Sequence, residues 1–216
     1  MITVTANLKG GSGKSTVTFN LGVWLKMQGE DVVAYDLDPQ KTLNDVALVR
    51  KEDGKLPELQ VNIINDGNYI ESLRKYSCHV LVDVGAANMD AMKAAISIAD
   101  RVIIPVPPSQ PDVWATQRFL KIIYDVCGDK FPELIAFINR ADTHHSVRES
   151  DEAEDALNMI NKLKVLKHRL CQRTNYRRTL SEGLSIFELS KKSKSSEEFD
   201  RFAYALYPDL KKTVTG

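Results

Sequence analysis

Lys9 to Thr16, KGGSGKST, carry the residue types best suited to gripping phosphate, set between a β-type run from Ile2 to Ala6 and a helical pattern that begins near Ser15. Glycines let consecutive backbone N–H groups turn inward on an anion, and the first turn of a helix adds unpaired donors and a favourable dipole. Gly10, Gly11, Ser12, Gly13 and Thr16 form such a cradle; Lys14 supplies a point charge for the outer phosphates, and the Ser15 hydroxyl is placed to ligate magnesium. The common spacing G-x-x-x-x-G-K-[ST] is not met, because its first glycine falls on Leu8. A second lysine, Lys9, stands four residues before Gly13 instead. A glycine-rich turn with a solvated lysine on each side is the plainer reading. It does not account for the glycine spacing, the Lys-Ser pair and the strand-to-helix setting together.

Carboxylates follow two later apolar runs. Asp36-Leu37-Asp38-Pro39-Gln40 comes after Val32 to Tyr35, and His79-Val80-Leu81-Val82-Asp83-Val84-Gly85 ends in Asp83 and a glycine. Taken singly, an Asp-x-Asp after a strand is most often solvated or a helix cap, and an Asp at a strand end caps a loop about as often as it does chemistry. Beside a phosphate loop both gain a purpose. Phosphoryl transfer is mostly positioning plus charge neutralisation, and it needs a carboxylate to orient water and a metal to offset charge.

The elements that must hold these groups alternate. A first helix is expected from about Ser15 to Gln28, with Val17, Leu21, Trp24 and Leu25 on one face and Gly29 as its stop. Further apolar strands are expected at Val61 to Ile64, His79 to Val84, Arg101 to Val106, Leu134 to Ile138 and Val165 to Leu170. Helical patterns separate most of them, at Met89 to Ala99, Val113 to Val126 and Glu149 to Leu163, and a last helix runs near Glu197 to Leu206. Strands that are apolar without alternation are covered on both faces. The fold class is therefore α/β, a doubly wound and mostly parallel sheet flanked by helices, with ligands at the carboxyl ends of the strands. Arg50 to Lys55 and Lys191 to Ser196 read as polar surface loops, and residues 1–216 read as a single domain that includes the C-terminal basic segment and helix.

Composition sets limits. The 29 basic and 29 acidic side chains cancel, so any nucleic-acid contact must come from a local patch. Cys78, Cys127 and Cys171 are too far apart for a C-x-x-C pair and read as thiols in a reducing compartment. There is no signal-peptide pattern and no apolar run approaching a membrane span, so the expected location is cytoplasmic.

The variant KGGxGK[ST] is the deviant Walker A box and resembles the ParA/MinD family of dimer-forming ATPases, where the early lysine reaches across the dimer to the partner's nucleotide. D-x-D-P-Q resembles that family's A′ box; by this resemblance Asp36 helps hold the hydration shell of magnesium and Asp38 positions or activates the attacking water. The strand ending in Asp83 is similar to a Walker B strand whose aspartate binds magnesium through water. Val84-Gly85-Ala86-Ala87 departs from the usual proline-containing continuation and is nearer the small-residue version of the ParF-like plasmid subgroup. Ile103 to Ser109 resembles that subgroup's proline-rich strand end, with Gln110-Pro111-Asp112 opening a helix. Phe137-Ile138-Asn139-Arg140 is similar to the strand end at the adenine pocket, where Asn139 could satisfy a purine or simply form a turn. Cys171 to Arg178 and the segment Ser181-Glu182-Gly183-Leu184-Ser185-Ile186-Phe187-Glu188 resemble the family's arginine segment and tail. This implies Arg173, Arg177 and Arg178 as DNA-binding residues, against the plain alternative of a solvated basic face.

The resemblance extends from residue 1 to about Glu188. It implies an ATPase of the ParA type for plasmid DNA partition, with ATP and Mg2+ as cofactors and Lys9, Lys14 and Asp38 as catalytic residues. The implied cycle is ATP-dependent homodimerisation, nonspecific DNA binding on the nucleoid, and hydrolysis stimulated by a centromere-binding ParB-type adaptor. A chain that begins at its first strand is not expected to regulate an operator itself. MinD-like relatives end in an amphipathic membrane helix, whereas Glu197 to Leu206 is short and mixed in charge and Lys211 to Gly216 is polar, so no membrane contact is expected. Positioning of a protein cargo, or a noncatalytic nucleotide-switched scaffold, remains open on the sequence.

Overall fold

The computed structural model describes residues 1–63, 69–144 and 148–210. Ile64, expected to end a strand, and the tail 211–216 lie outside the described residues. Strands β1 (Ile2–Asn7), β2 (Val32–Asp36), β3 (Gln60–Ile63), β4 (His79–Gly85), β5 (Arg101–Val106), β6 (Glu133–Ala141) and β7 (Lys164–Cys171) form one seven-stranded sheet in the order β3-β2-β4-β1-β5-β6-β7. Every pairing is parallel. The apolar runs without alternation are explained directly. In β4, Val80, Val82 and Val84 join one core cluster while Leu81 joins the other, so both faces of the strand are buried.

Helices α1 (Lys14–Met27), α2 (Thr42–Glu52), α3 (Tyr69–Arg74), α4 (Met89–Ile96), α5 (Gln110–Cys127), α6 (Glu149–Asn158), α7 (Thr174–Glu182), α8 (Ile186–Leu189) and α9 (Lys194–Leu206) connect and cover the sheet. One core face takes its helical side chains from α3, α4, α5 and α6, among them Leu73, Met92, Phe119, Ile123 and Leu157. The other takes them from α1, α2, α8 and α9, among them Trp24, Leu43, Ile186, Phe199 and Phe202. Phe137 of β6 meets Phe202 at 4.4 Å between ring centroids, and Phe202 meets Phe199 at 5.5 Å. Fully burying each ring contributes about 1.5–3 kcal/mol, enough to pin α9 to the sheet.

Several expectations are corrected. Helix α1 does not have one apolar face, because every residue from Val17 to Leu25 is buried between the sheet and the helices around it. The segment Arg50 to Lys55 is not a surface loop at its start: α2 runs to Glu52, and Arg50 is completely buried. Its arginine interrupts an otherwise apolar i, i+3, i+4, i+7 row of Leu43, Val46, Ala47 and Arg50, which hides the helix from a periodicity search. Lys191 to Ser196 is likewise only half loop. Ser193 caps α9, accepting a hydrogen bond from the Ser196 N–H at 3.2 Å while Ser196 answers with its own hydroxyl, so Lys194, Ser195 and Ser196 are helical. Helices α4 and α6 stop short of Ala99 and Leu163. The Ser97 hydroxyl donates to the Ala94 carbonyl at the end of α4, and Lys162, with φ 63°, turns the chain after α6. Among the described residues no helix is long and apolar enough to cross a membrane.

Candidate functional site

The site lies where β1, β2 and β4 end. Thr5 and Asp36 both stand in register with Asp83, and Asn7 stands in register with Gly85, which brings the phosphate loop and both carboxylate segments to one edge of the sheet. Left-handed backbone at Gly11, φ 73°, and at Gly13, φ 93°, lets residues 9–14 wrap into a cradle that ends on the first turn of α1. Lys14 is buried, and its ammonium reaches the Lys9 carbonyl at 3.5 Å. Asn7, which sequence reasoning did not single out, braces the loop from below. Its side-chain amide donates to the Pro105 carbonyl at 2.8 Å, and its carbonyl oxygen accepts the Lys9 N–H at 3.1 Å. The signal available was a carboxamide at the end of the strand that leads into the glycine loop.

Three carboxylates differ in how they are satisfied. Asp36 is buried and accepts the N–H groups of Asp38 at 3.0 Å and of Asn44 at 2.9 Å. Burial pushes its carboxyl above the usual range against the pull of those two backbone donors. Asp38 accepts the Gln40 N–H at 3.0 Å and is only partly buried. Asp83 is fully buried, and neither of its oxygens has a hydrogen-bond partner among the described residues. Burial pushes its carboxyl up to about 7; the nearby Ser15 hydroxyl and Lys14 ammonium draw it down without either forming a hydrogen bond with it, while Asp36 and Asp38 raise it further. An orphaned buried carboxylate carries a large desolvation cost unless something positive comes to it. Among the described residues no three His, Cys, Asp or Glu side chains converge as a ready-made metal cluster. A hard cation here would therefore take its remaining oxygens from phosphate and water, as Mg2+ does in nucleotide sites, and Ser15, Asp36 and Asp83 fit that donor set.

Lys9 points away from the cradle. Its ammonium lies 3.7 Å from Asp112 in the first turn of α5, with the lysine side chain 45% exposed and the aspartate 9%. Asp112 is in turn held by the Ser109 hydroxyl, which also caps α5. Sequence reasoning placed Asp112 only in the segment that opens a helix.

Beside the loop a cavity of about 380 Å3 is lined by Gly13, Thr16, Val17, Asn139, Arg140, Leu170, Tyr176 and Arg177, among others. Asn139 and Arg140 sit where the β6–β7 pairing shifts register, and Arg140 has φ 60°. Asn139 donates its amide to the Ser12 carbonyl at 2.6 Å. That bond commits one N–H of the amide to the phosphate loop and leaves the second N–H and the side-chain carbonyl for a base. A β-carbon on Gly13 would press on the same amide, with Asn139 Cγ at 3.6 Å, so the two residues need each other's shape.

The three arginines do not share one helix face. Arg173 precedes α7 with extended backbone, and its guanidinium is bound by Glu198 of α9. Arg178 pairs with Glu182 at 2.8 Å on an exposed helix surface, where such pairs hold little energy. Arg177 is exposed and lines the cavity. The following tail is structural. Arg50 donates to both oxygens of Glu188 at 2.8 and 3.0 Å, to the Gly183 carbonyl at 2.9 Å and to the Pro57 carbonyl at 2.8 Å. Glu188 also closes a capping box with Ser185, and Asn20 of α1 accepts the Ile186 N–H at 2.7 Å. The tail residues thereby dock α7 and α8 against α1 and α2.

A parallel doubly wound sheet with a glycine loop from β1 into α1 and acidic strand ends beside it defines the P-loop class of nucleotide-binding proteins. Within that class the chain belongs to the CobQ/CobB/MinD/ParA nucleotide binding domain family, whose model matches residues 3–186. It is 28% identical over 196 residues to the maintenance of carboxysome distribution protein A of Halothiobacillus neapolitanus, covering 89% of each chain. It is 23% identical over 222 residues to the protein ParA of Rhizobium radiobacter, covering 97% of each. Among solved structures, a plasmid partition protein of Borrelia burgdorferi bound to AMPPNP superposes with a TM-score of 0.75 at 16% identity, over 96% of this chain and 98% of that one.

Proposed function

We propose that this protein is a Mg2+-dependent ATPase of the ParA type, acting over the whole chain as one unit, that dimerises on ATP, binds DNA without sequence preference and releases it on hydrolysis. The observation that carries this reading is the buried, unpartnered Asp83 carboxylate beside Lys14 and Ser15, a site that asks for a cation and the phosphates such a cation accompanies. Lys14 and the loop N–H groups hold the phosphates, and Thr16 and Asn139 border the space for the nucleoside. Mg2+, when bound through Ser15, Asp36 and Asp83, would offset phosphate charge. Asp38, tethered at the end of β2 and partly open to solvent, orients the attacking water. Lys9, freed from Asp112, reaches the nucleotide of a second copy and makes dimerisation depend on ATP.

The cargo we favour is plasmid DNA, through a ParB-type adaptor that stimulates hydrolysis. A protein cargo is the second reading, because the relative at 28% identity is a carboxysome distribution protein. DNA contact is assigned to Arg177 and Arg178, with Arg173 contributing less because Glu198 holds its charge. Phosphate release and light scattering test the reading together. Asp38→Ala should form ATP-dependent dimers yet hydrolyse about 10²–10⁴-fold more slowly. Lys14→Ala should weaken nucleotide binding and dimerisation, and Lys9→Ala dimerisation alone. A Lys9→Ala protein that dimerises normally would refute the role given to that residue. Co-sedimentation with DNA and with liposomes separates nucleoid from membrane binding. Arg177→Ala/Arg178→Ala should flatten the salt dependence of DNA binding, whose logarithmic slope for about six phosphate contacts is about −5.

A further inference from the structure

Gly85 closes β4 two residues after Asp83, with φ −111° and ψ 166°. That backbone is extended, and any residue can adopt it, so the chain conformation does not require glycine here. What requires it is a contact. A β-carbon at this position would come closer than 3.0 Å to Asp38 Oδ2 and within 3.2 Å of its Cγ, and it would touch Lys14 Cε at 3.6 Å. The Asp38 carboxylate therefore rests directly on the bare Cα of Gly85, beside the side chain of the phosphate-binding lysine.

The loop that carries Asp38 cannot back away to make room. The Asp38 N–H donates to Asp36 at 3.0 Å, its carbonyl accepts the Lys41 N–H at 2.9 Å, and its Oδ1 accepts the Gln40 N–H at 3.0 Å. One residue earlier, the Leu37 N–H donates to the Asp83 carbonyl at 2.9 Å and the Leu37 carbonyl accepts the Asn88 amide at 3.3 Å. With Leu37 tied to β4 and to Asn88, and the turn after it closed on Asp36, Gln40 and Lys41, the carboxylate itself is what yields, by rotating off its seat.

We infer that Gly85 is a positioning residue for ATP hydrolysis: its missing side chain forms the seat that sets where the Asp38 carboxylate, and hence the attacking water, is held. The inference rests on the assignment of water orientation to Asp38. It makes side-chain size at position 85 a control on the chemical step that leaves nucleotide capture largely alone, because Lys14 lies at ordinary contact distance from the added carbon whereas Asp38 does not. Displacing a catalytic group by about 1 Å costs on the order of 10²-fold in rate.

The test uses the full chain with Gly85→Ala, Asp38→Ala and the double variant. Single-turnover phosphate release with ATP and Mg2+ should fall about 10- to 100-fold in Gly85→Ala, while affinity for a fluorescent ATP analogue changes by less than about threefold and ATP-dependent dimers still form. The double variant should be no slower than Asp38→Ala. Thermal unfolding gives a readout independent of activity: Gly85→Ala should lower the midpoint in the wild-type background and not in Asp38→Ala, where the oxygen it meets is gone. That comparison also holds if the single variant folds poorly. Wild-type turnover by Gly85→Ala, with Asp38→Ala slow, would overturn the seat and spare the role of Asp38. Normal turnover by Asp38→Ala would overturn both. Equal destabilisation of both backgrounds by Gly85→Ala, or additive slowing in the double variant, would show that Gly85 acts on something other than Asp38.

Discussion

Replacing Glu188 by alanine removes the acceptor for two guanidinium donors of Arg50, a side chain with no solvent exposure at all. The Gly183 and Pro57 carbonyls still accept from Nη1 and Nε, but Nη2 loses its acceptor, and among the described residues no other counter-ion meets the buried charge. Breaking one partner out of a buried pair costs about 3–5 kcal/mol. The Ser185 N–H and hydroxyl lose the same carboxylate, at 2.7 and 2.6 Å, and with it the cap of α8, a further cost on the order of 1 kcal/mol. These groups share a network, so we expect about 4 kcal/mol in total, or about 8–16 °C in Tm for a chain of this size. Urea unfolding followed by circular dichroism reads it. Because burial pushes the Glu188 carboxyl up but Arg50 and Ser185 more than reverse this, its folded value lies below the ordinary 4.5. A depressed carboxylate contributes stability above its unfolded value that is lost as pH falls through the folded one. The stability gap between wild type and Glu188→Gln should therefore be full at neutral pH and shrink below about pH 4.5. Arg50→Met/Glu188→Leu should recover the part of the loss that comes from the unpaired buried charge, but not the α8 cap or the donors to the Gly183 and Pro57 carbonyls. A loss under about 1 kcal/mol in Glu188→Ala, or a gap indifferent to acid, would refute the account of a buried lock.

Other outcomes follow from single contacts. Gly183→Ala should cost more than about 1 kcal/mol, because φ there is 61° and a β-carbon would lie 2.7 Å from the Arg50 nitrogen and 2.8 Å from its Cα, both backbone atoms; chemical denaturation measures it. Asp112→Asn should lower the ATP concentration for half-maximal dimerisation by about 2–5-fold, the range set by a half-exposed ion pair of up to about 1 kcal/mol that competes with the partner's nucleotide; light scattering against ATP concentration tests it. Asn139→Ala should weaken nucleotide binding about tenfold by removing the donor to the Ser12 carbonyl. Asn139→Asp should weaken it further, because an ionised carboxylate cannot donate and repels phosphate; calorimetric titration distinguishes the two.

Local chemistry was legible in the sequence wherever neighbouring residues do the work. The glycines and lysines of residues 9–14 bend and charge a loop by themselves, and apolar runs such as Val80 to Val84 report burial on both faces of a strand without any knowledge of what covers them. The carboxylates of Asp36 and Asp83 could be placed near the loop because a parallel sheet puts every strand's carboxyl end on the same edge. Contacts between residues distant in the chain were not legible. Arg50 reads as a surface charge until Glu188, 138 residues away, is brought to it. Asn139 reads as either a base contact or a turn, with no sign of Ser12, whose carbonyl takes one of its N–H groups, and Arg173 reads as an unpaired charge until Glu198 is brought to it. Gly85 reads as a loop residue until Asp38 is found resting on it. A side chain's type sets which bonds it can make, and only the packed fold sets which partner is within 3 Å and whether water is excluded from the bond.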